Sequence, residues 1–213
     1  MGRPKKAEQG PVSTKERIFK RALELFAAKG YDAVSVRDIT KSLHLNEATL
    51  YIHYKNKSTL LDEILERLQK NLIDPGFRVP PAEMFAADGG VDPAEYLVEG
   101  ATRFFDRTDL DTLLTWRMLM ISQYRYEAAR STVEEQLLNA PQRFFSALLQ
   151  HMQSAGCIAE TVDCRSAGRI IAAMFFEYSF RANLKAAWDE QSDEDFSRLK
   201  EDLRSIAQWL QTG

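Results

Sequence analysis

The chain has 213 residues, of which 45% are hydrophobic and 28% charged, and a formal net charge of −3. That is enough chain for one large domain or two small ones with a real core. It contains no run of about 18 apolar residues, which excludes a membrane-spanning helix, and its overall acidity argues against a protein that coats nucleic acid with its whole surface. The opening MGRPKKAEQGPVSTKE is charged and lacks the apolar segment of a secretory signal. Lys6 stands where a myristoylation motif has Ser or Thr. Two cysteines, Cys157 and Cys164, make no disulfide framework, so a reducing, cytoplasmic setting is expected.

The average charge hides an asymmetry. Residues 1–58 hold 12 Lys and Arg against 6 Asp and Glu, whereas the remaining 155 hold 16 against 25. A basic head on an acidic body suits a polyanionic partner for the head alone.

No stretch alternates as a β-strand does; apolar residues recur at three and four, so the pattern predicts an all-α chain. Ser13-Thr14-Lys15-Glu16 reads as a capping box, with Ser13 accepting from the backbone of Glu16 and Glu16 reaching back. Ile18, Ala22, Leu25 and Phe26 then share a face, and Lys29-Gly30 ends the first helix. Ser35-Val36-Arg37-Asp38 opens a short second helix with a weaker box, which Leu43-His44-Leu45 breaks. Asn46 is a good N-cap for a third helix, Glu47 to about Tyr54. Asn56 or Ser58 caps a fourth, which runs through Leu60, Leu61, Ile64, Leu65 and Leu68 to about Ile73, where Asp74-Pro75-Gly76 stops it. Residues 74–92 read as a loop, after which Asp92-Pro93-Ala94-Glu95 opens another helix. Helices are predicted at 109–128, 131–155, 164–187 and 193–211, with Pro141 kinking the second of these, Gly156 closing it and Ser192 to Asp195 capping the last.

Three short helices, the second and third joined by a tight turn, form a helix-turn-helix pattern. Ile39, Leu43, Leu45 and Leu50 would pack inside it, closed by Ala22 and Phe26. Glu47, Ala48, Thr49, Tyr51, Ile52 and His53 are left on the outer side of the third helix. Short or planar polar groups there can reach base edges and phosphates in a major groove about as wide as the helix. Tyr51 and His53 suit phosphate, Thr49 offers a methyl and a hydroxyl, and Lys55 and Lys57 stand beside the start of the fourth helix. Tyr54 reads better as a core residue with a wetted tip.

Residues 13–61 resemble the DNA-binding region of the tetracycline-repressor (TetR) family of bacterial transcriptional regulators. The resemblance lies in the order of parts in RIFKRALELFAAKGYDAVSVRDITKSLHLNEATLYIHYKNKSTLL, with an F-x-x-K-G-Y end to the first helix at Phe26 to Tyr31 and a T-L-Y-x-H-Y-x-x-K-x-x-L run at Thr49 to Leu60. It covers under a quarter of the chain. It implies DNA contacts at Ser35 and Arg37 on the second helix, at Asn46, Glu47, Ala48, Thr49, Tyr51, Ile52 and His53 on the third, and at Lys55 and Lys57. The family often has Gly in the turn where this chain has His44; a left-handed backbone there is tolerable for His at some cost. The segment Gly2 to Lys6 is too polar to fold alone and reads either as a basic arm for a minor groove or as a solubilising tail.

The expected organisation is a flexible arm over 1–12, a DNA-binding domain over 13–57 and a helical ligand-binding and dimerisation domain over 58–213. A single helix-turn-helix reads a short half-site, so a homodimer on a palindromic double-stranded operator is expected. The last two helices suit that task through Ala167, Ile171, Phe175, Phe196, Leu199, Leu203, Ile206 and Leu210. The resemblance also implies a small-molecule inducer held among the middle helices, with Phe104, Phe105, Trp116, Met120, Tyr124, Phe144, Met152 and Glu177 as candidate walls; aromatic and Met stripes at helical spacing are equally what a plain core looks like. No nucleophile elbow, HExxH or phosphate-cradling glycine loop occurs, so neither catalysis nor a metal or cofactor is expected. The reading is a ligand-released dimeric repressor; the alternative is a helical adaptor whose basic head binds an acidic protein.

Overall fold

The computed structural model describes residues 12–72, 79–85, 91–106, 108–187 and 193–212. The basic arm, the Asp74-Pro75-Gly76 stop and the Ser192 cap lie outside these residues. Helix α1 spans Thr14–Lys29, α2 Val36–Ser42, α3 Glu47–His53 and α4 Lys57–Leu72. A 3-10 turn at Ala82–Phe85 precedes α5 (Pro93–Asp106) and α6 (Leu110–Ser122). Then come α7 (Glu127–Thr132), a π-helical stretch Val133–Asn139, α8 (Ala140–Ser154), α9 (Cys164–Ala187) and α10 (Asp193–Thr212). No strand occurs among the described residues.

The caps explain where the helices start. Ser13 Oγ accepts from the Glu16 amide at 3.2 Å. Glu16 does not reach back as the box pattern predicts; its carboxylate is taken by Arg67 of α4 through two bonds of 3.1 and 2.9 Å. The box at Ser35 is instead complete, with Asp38 Oδ2 accepting from the Ser35 amide at 2.8 Å and Ser35 Oγ accepting from the Asp38 amide at 3.1 Å. Asn46 caps α3 and Asn56 receives the Thr59 amide at the head of α4. The two helices expected at 109–128 and 131–155 divide differently, since α6 ends at Ser122 and one long helical run covers 127–154. Pro141 lacks an N–H and its ring crowds the carbonyl four residues back. The preceding turns widen into the π-helical stretch, which accommodates that defect without ending the helix.

Buried side chains form two clusters. The first joins α1–α4 (Ile18, Phe26, Ile39, Leu50, Leu60 and others) to Trp116, Met118 and Leu119 of α6 and to Ala129, Val133 and Leu137 beyond it. The second lies among α5, α8, α9 and α10. Within it α8 and α9 touch at Gly168, where an added Cβ would stand 2.6 Å from the Ser146 amide nitrogen. Helix α6 therefore sits under the N-terminal three helices as their floor.

Candidate nucleic-acid interface

The turn between α2 and α3 is fixed from within. His44 takes a left-handed backbone, φ 56°. Leu45 N–H reaches back to Thr40 O at 2.9 Å and His44 N–H to Lys41 O at 3.2 Å. Thr40 is buried and its hydroxyl donates to Val36 O at 3.1 Å, so no polar group is stranded. Leu50 is the buried anchor of α3, and Tyr54 is buried just after it. Burial and the Glu63 carboxylate beside it push the Tyr54 hydroxyl pKa well up, so it stays neutral.

With those two residues inward, α3 turns the rest of its surface out. Glu47, Ala48, Tyr51, Ile52 and His53 are exposed, Tyr51 by 51% and Ile52 by 78%. Asn46 Oδ1 accepts both the Thr49 amide at 2.8 Å and the Thr49 hydroxyl at 2.7 Å. Thr49 is thus half-buried, with its proton committed to the cap and only its methyl and lone pairs open to a partner. Ser35 is likewise committed, its hydroxyl donating to Asp38 at 2.6 Å. Arg37 on α2 and Lys55 beyond α3 are exposed cations flanking this row.

Lys57 is placed otherwise than its position in sequence suggests. Its ammonium donates to Tyr31 O at 3.0 Å and Val34 O at 2.9 Å, and lies 4.1 Å from the centre of the Tyr31 ring. Two of its three N–H groups thus cap the carbonyls of the α1–α2 link. Nothing local in the sequence signals this, because the partners lie 26 and 23 residues away. The same holds for Arg67, which bridges Glu16 and Glu63 and stacks 3.7 Å over Phe19, with Lys15 closing the cluster onto Glu63 at 2.8 Å. Of these contacts only Glu63–Arg67 has a local helical spacing, four residues. The Arg67 hydrogen bonds hold Glu16 below its ordinary pKa; Glu63 is also held low by Lys15 and Arg67, against its burial.

Besides the shared core, a hydrogen-bonded joint ties these three helices to the body. Gly30 has φ 83°, and a Cβ there would meet Ile121 Cγ2 at 3.0 Å. The next amide, Tyr31 N–H, donates to the buried Ser122 Oγ at 3.2 Å, and the Tyr31 ring lies 4.7 Å from that of Tyr126. Burial pushes the Tyr31 hydroxyl up to about 12.

The expected ligand walls do not converge. Phe104 and Phe105 pack with Phe175, Trp116 is buried against Phe176, Met152 is core, and Met120 and Phe144 are half-buried. Tyr124 is 88% exposed, and Glu177 is exposed and paired with Arg181. The body has a 280 Å³ cleft between the α5–α6 link and α9–α10, with Phe105, Leu113, Tyr178, Asp195 and Phe196 among its walls. Only Phe105 of the expected set belongs to it.

The expected dimer residues also point elsewhere. Ala167, Ile171, Phe175, Leu199, Leu203 and Leu210 are buried in the chain's own second core, and Phe196 and Ile206 pack against it. A stripe at helical spacing reports that a face is buried, not which chain buries it. The opposite side of α9 exposes Ile170, Ala173, Phe180 and Leu184. Both cysteines are free, with thiol pKa values raised by burial. Among the described residues no group of three or more His, Cys, Asp or Glu could hold a metal ion, and no helix is long and apolar enough to cross a membrane.

Residues 18–64 match the family of bacterial regulatory proteins, tetR family. The chain is 38% identical over 60 residues to the biofilm operon icaADBC HTH-type negative transcriptional regulator IcaR of Staphylococcus epidermidis, a match covering 28% of this chain and 32% of that protein. The Staphylococcus aureus IcaR is 37% identical over 49 residues, 23% of this chain and 26% of the relative. These matches thus span about a third or less of the curated relatives' length. In fold, the whole chain is similar to Salmonella enterica GusR, with TM-score 0.64, 23% identity, and 98% of this chain and 100% of that one covered. It is also similar to a TetR family transcriptional regulator from Pseudomonas syringae pv. tomato, with TM-score 0.63, 21% identity and coverage of 92% and 96%.

Proposed function

We propose, for a chain that belongs to the tetR family of bacterial transcriptional regulators, that it is a ligand-responsive homodimeric repressor binding a palindromic operator. The observation that carries this reading is the outward row Glu47, Ala48, Tyr51, Ile52 and His53 over a buried Leu50, flanked by Arg37 and Lys55. A seven-residue helix held by its neighbours can enter a major groove, with Tyr51, His53, Arg37 and Lys55 on phosphates and Glu47 and Ala48 against base edges. Residues 13–57 form the DNA-binding unit in this reading and 58–213 the regulatory body. The negative sense of regulation follows the name of the IcaR relatives.

Two half-sites require two copies in fixed register. The exposed Ile170, Ala173, Phe180 and Leu184 of α9 support a second copy docking there, since an apolar stripe of this kind marks an association surface. The inducer site we propose is the 280 Å³ cleft. Leu113 of α6 lines it, while Ile121 and Ser122 at the other end of the same helix touch Gly30 and Tyr31. Eight residues of helix put those ends about 12 Å apart. A ligand that binds one position of α6 better than another shifts the DNA-binding helices by that differential affinity and no more.

The test is a binding selection on genomic fragments with the purified chain near physiological salt. A recovered palindrome whose affinity falls log-linearly with salt supports the regulator reading. Recovery of no enriched sequence by ligand-free protein, refolded to remove any bound molecule, overturns it.

A further inference from the structure

Helix α3 reads EATLYIH and holds no Arg, Lys, Asn or Gln. Those four are the side chains that make paired hydrogen bonds to guanine or adenine in the major groove. What the helix presents instead follows from its geometry. Leu50 is fully buried and marks the inward direction. At about 100° per residue, Ala48 and Ile52 lie within about 20° of the direction opposite Leu50. Both are exposed, Ile52 by 78%, more than any other large apolar side chain among the described residues except Tyr124. Glu47 and Tyr51 fall on one flank of this crest, Thr49 and His53 on the other. The crest of the helix is therefore apolar, and its polar groups stand to the sides. The hydroxyl proton of Thr49 goes to Asn46 Oδ1 at 2.7 Å, so that side chain adds a methyl and lone pairs but no donor.

We infer that Ile52 determines operator specificity by packing on a thymine methyl, with Ala48 against a second. The inference rests on the operator-binding reading above and names what the crest recognises. Two observations select this occupant. First, the exposed cations Arg37 and Lys55 flank the crest, which suits a polyanion and not an apolar surface. Second, the crest is small. Two side chains one turn apart, ringed by Glu47, Thr49, Tyr51 and His53, fall short of the few hundred Å² of a protein-docking patch. On the base edges of a major groove the apolar group is the C5 methyl of a pyrimidine, which thymine carries. Covering it with a branched aliphatic side chain removes apolar surface of both from water. Four residues of helix rise about 6 Å and base steps are about 3.4 Å apart, so the two thymines lie about two steps apart where the crest follows the groove.

This separates Ile52 from its neighbours. Contacts to phosphate by Tyr51, His53, Arg37 and Lys55 would set register and tightness without reading sequence. Shortening Ile52 changes which operator is preferred.

The experiment is fluorescence anisotropy on the palindrome recovered by the genomic selection, made as a synthetic duplex. Each thymine is replaced in turn, in both half-sites together, by deoxyuridine, which removes the C5 methyl and keeps every hydrogen bond. Wild type, Ile52→Val and Ile52→Ala are measured on each duplex, with helicity checked by circular dichroism. Ile52 is exposed enough that shortening it leaves the core untouched. We expect at least one thymine whose replacement weakens wild-type binding about fourfold per methyl, roughly fifteenfold with both half-sites changed. Ile52→Ala loses most of that discrimination and Ile52→Val keeps part of it, a coupling that groups out of contact do not show. An Ile52→Ala chain as sensitive to deoxyuridine as wild type, or a half-site in which no thymine methyl matters, overturns the inference and leaves the repressor reading standing. A further set carries 5-methylcytosine for each cytosine in turn, the other source of a C5 methyl. Tighter binding there, with deoxyuridine neutral, overturns thymine as the group read. Recovery of no palindrome by the ligand-free wild-type chain overturns both the inference and the reading beneath it.

Discussion

The Lys57 ammonium donates to the carbonyl of Tyr31 at 3.0 Å and sits 4.1 Å from the centre of the same residue's ring. One side chain thus holds both ends of a single residue, and through the Val34 carbonyl it also ties down the approach to α2. Replacing it with Met keeps the stem and removes the donors. We predict a loss of about 1–3 kcal/mol in urea unfolding, together with weaker DNA binding that follows the loss of the fold. Unchanged stability with weakened binding would instead make Lys57 a direct phosphate ligand, as its place in the sequence suggested.

Acid should weaken the α1–α4 cluster. Glu16 in the fold titrates below its ordinary 4.5, because Arg67 bonds its carboxylate. The fold therefore prefers the ionised form. That stabilisation is complete above the ordinary value and is lost as pH falls through the depressed one. Glu16→Gln should cost on the order of 1 kcal/mol at pH 7, limited by the part-exposed pair. The gap to wild type should close as pH falls below 4.5. Urea midpoints across that range decide it; a gap independent of pH would mean that Glu63 alone satisfies Arg67.

Glycine tolerance should differ sharply by position. An alanine methyl at 168 would collide with the Ser146 backbone at 2.6 to 2.8 Å, and the two helices cannot part without opening the second core. At 100 the added methyl meets nothing within 4 Å. Gly168→Ala should lower the melting temperature by several degrees, equivalent to about 1–3 kcal/mol. Gly100→Ala should raise stability by about 0.5–1 kcal/mol through its helix preference. Equal melting temperatures for the two variants would contradict the close approach of α8 and α9.

Leu203→Asp looks like an interface mutation in the sequence and is a core mutation in the fold. Leu203 is 0% exposed, so the aspartate should destabilise by several kcal/mol and unfold the body. Phe180→Glu, on the exposed side of α9 at 40%, should keep its helicity and dissociate. Light scattering with circular dichroism separates the two outcomes; a folded, monomeric Leu203→Asp would return the interface to the α9–α10 inner face.

On DNA, Tyr51→Phe should weaken operator and scrambled duplex alike, whereas Glu47→Ala should change the preference among operators. Fluorescence anisotropy against both duplexes at several salt concentrations reads the difference. A uniform loss for Glu47→Ala would put that side chain in solvent.

What could be read from residues alone was whatever is local. Ser13, Ser35, Asn46 and Asp92 lie within three residues of the amides they cap, so helix starts were legible. The outward row of α3 was legible for the same reason, since one helical turn fixes which side Leu50 takes. The joints were not. Lys57 with Tyr31, Tyr31 with Ser122 and Arg67 with Glu16 span 26, 91 and 51 residues. The body was not legible in the same way: Phe175 and Leu199 are buried in the chain's own core, and helical spacing marks a buried face without saying what buries it, while Tyr124 is exposed, and an aromatic residue in a sequence carries no sign of its surroundings.

The cap at Asn46 and the anchors Leu50 and Tyr54 mean that α3 is already a helix before any DNA arrives. Seven residues could not hold that shape by themselves in water. Association then carries no ordering term for the recognition element, so the heat-capacity change measured by calorimetry should match the area of contact alone, without the excess that accompanies a segment folding as it binds.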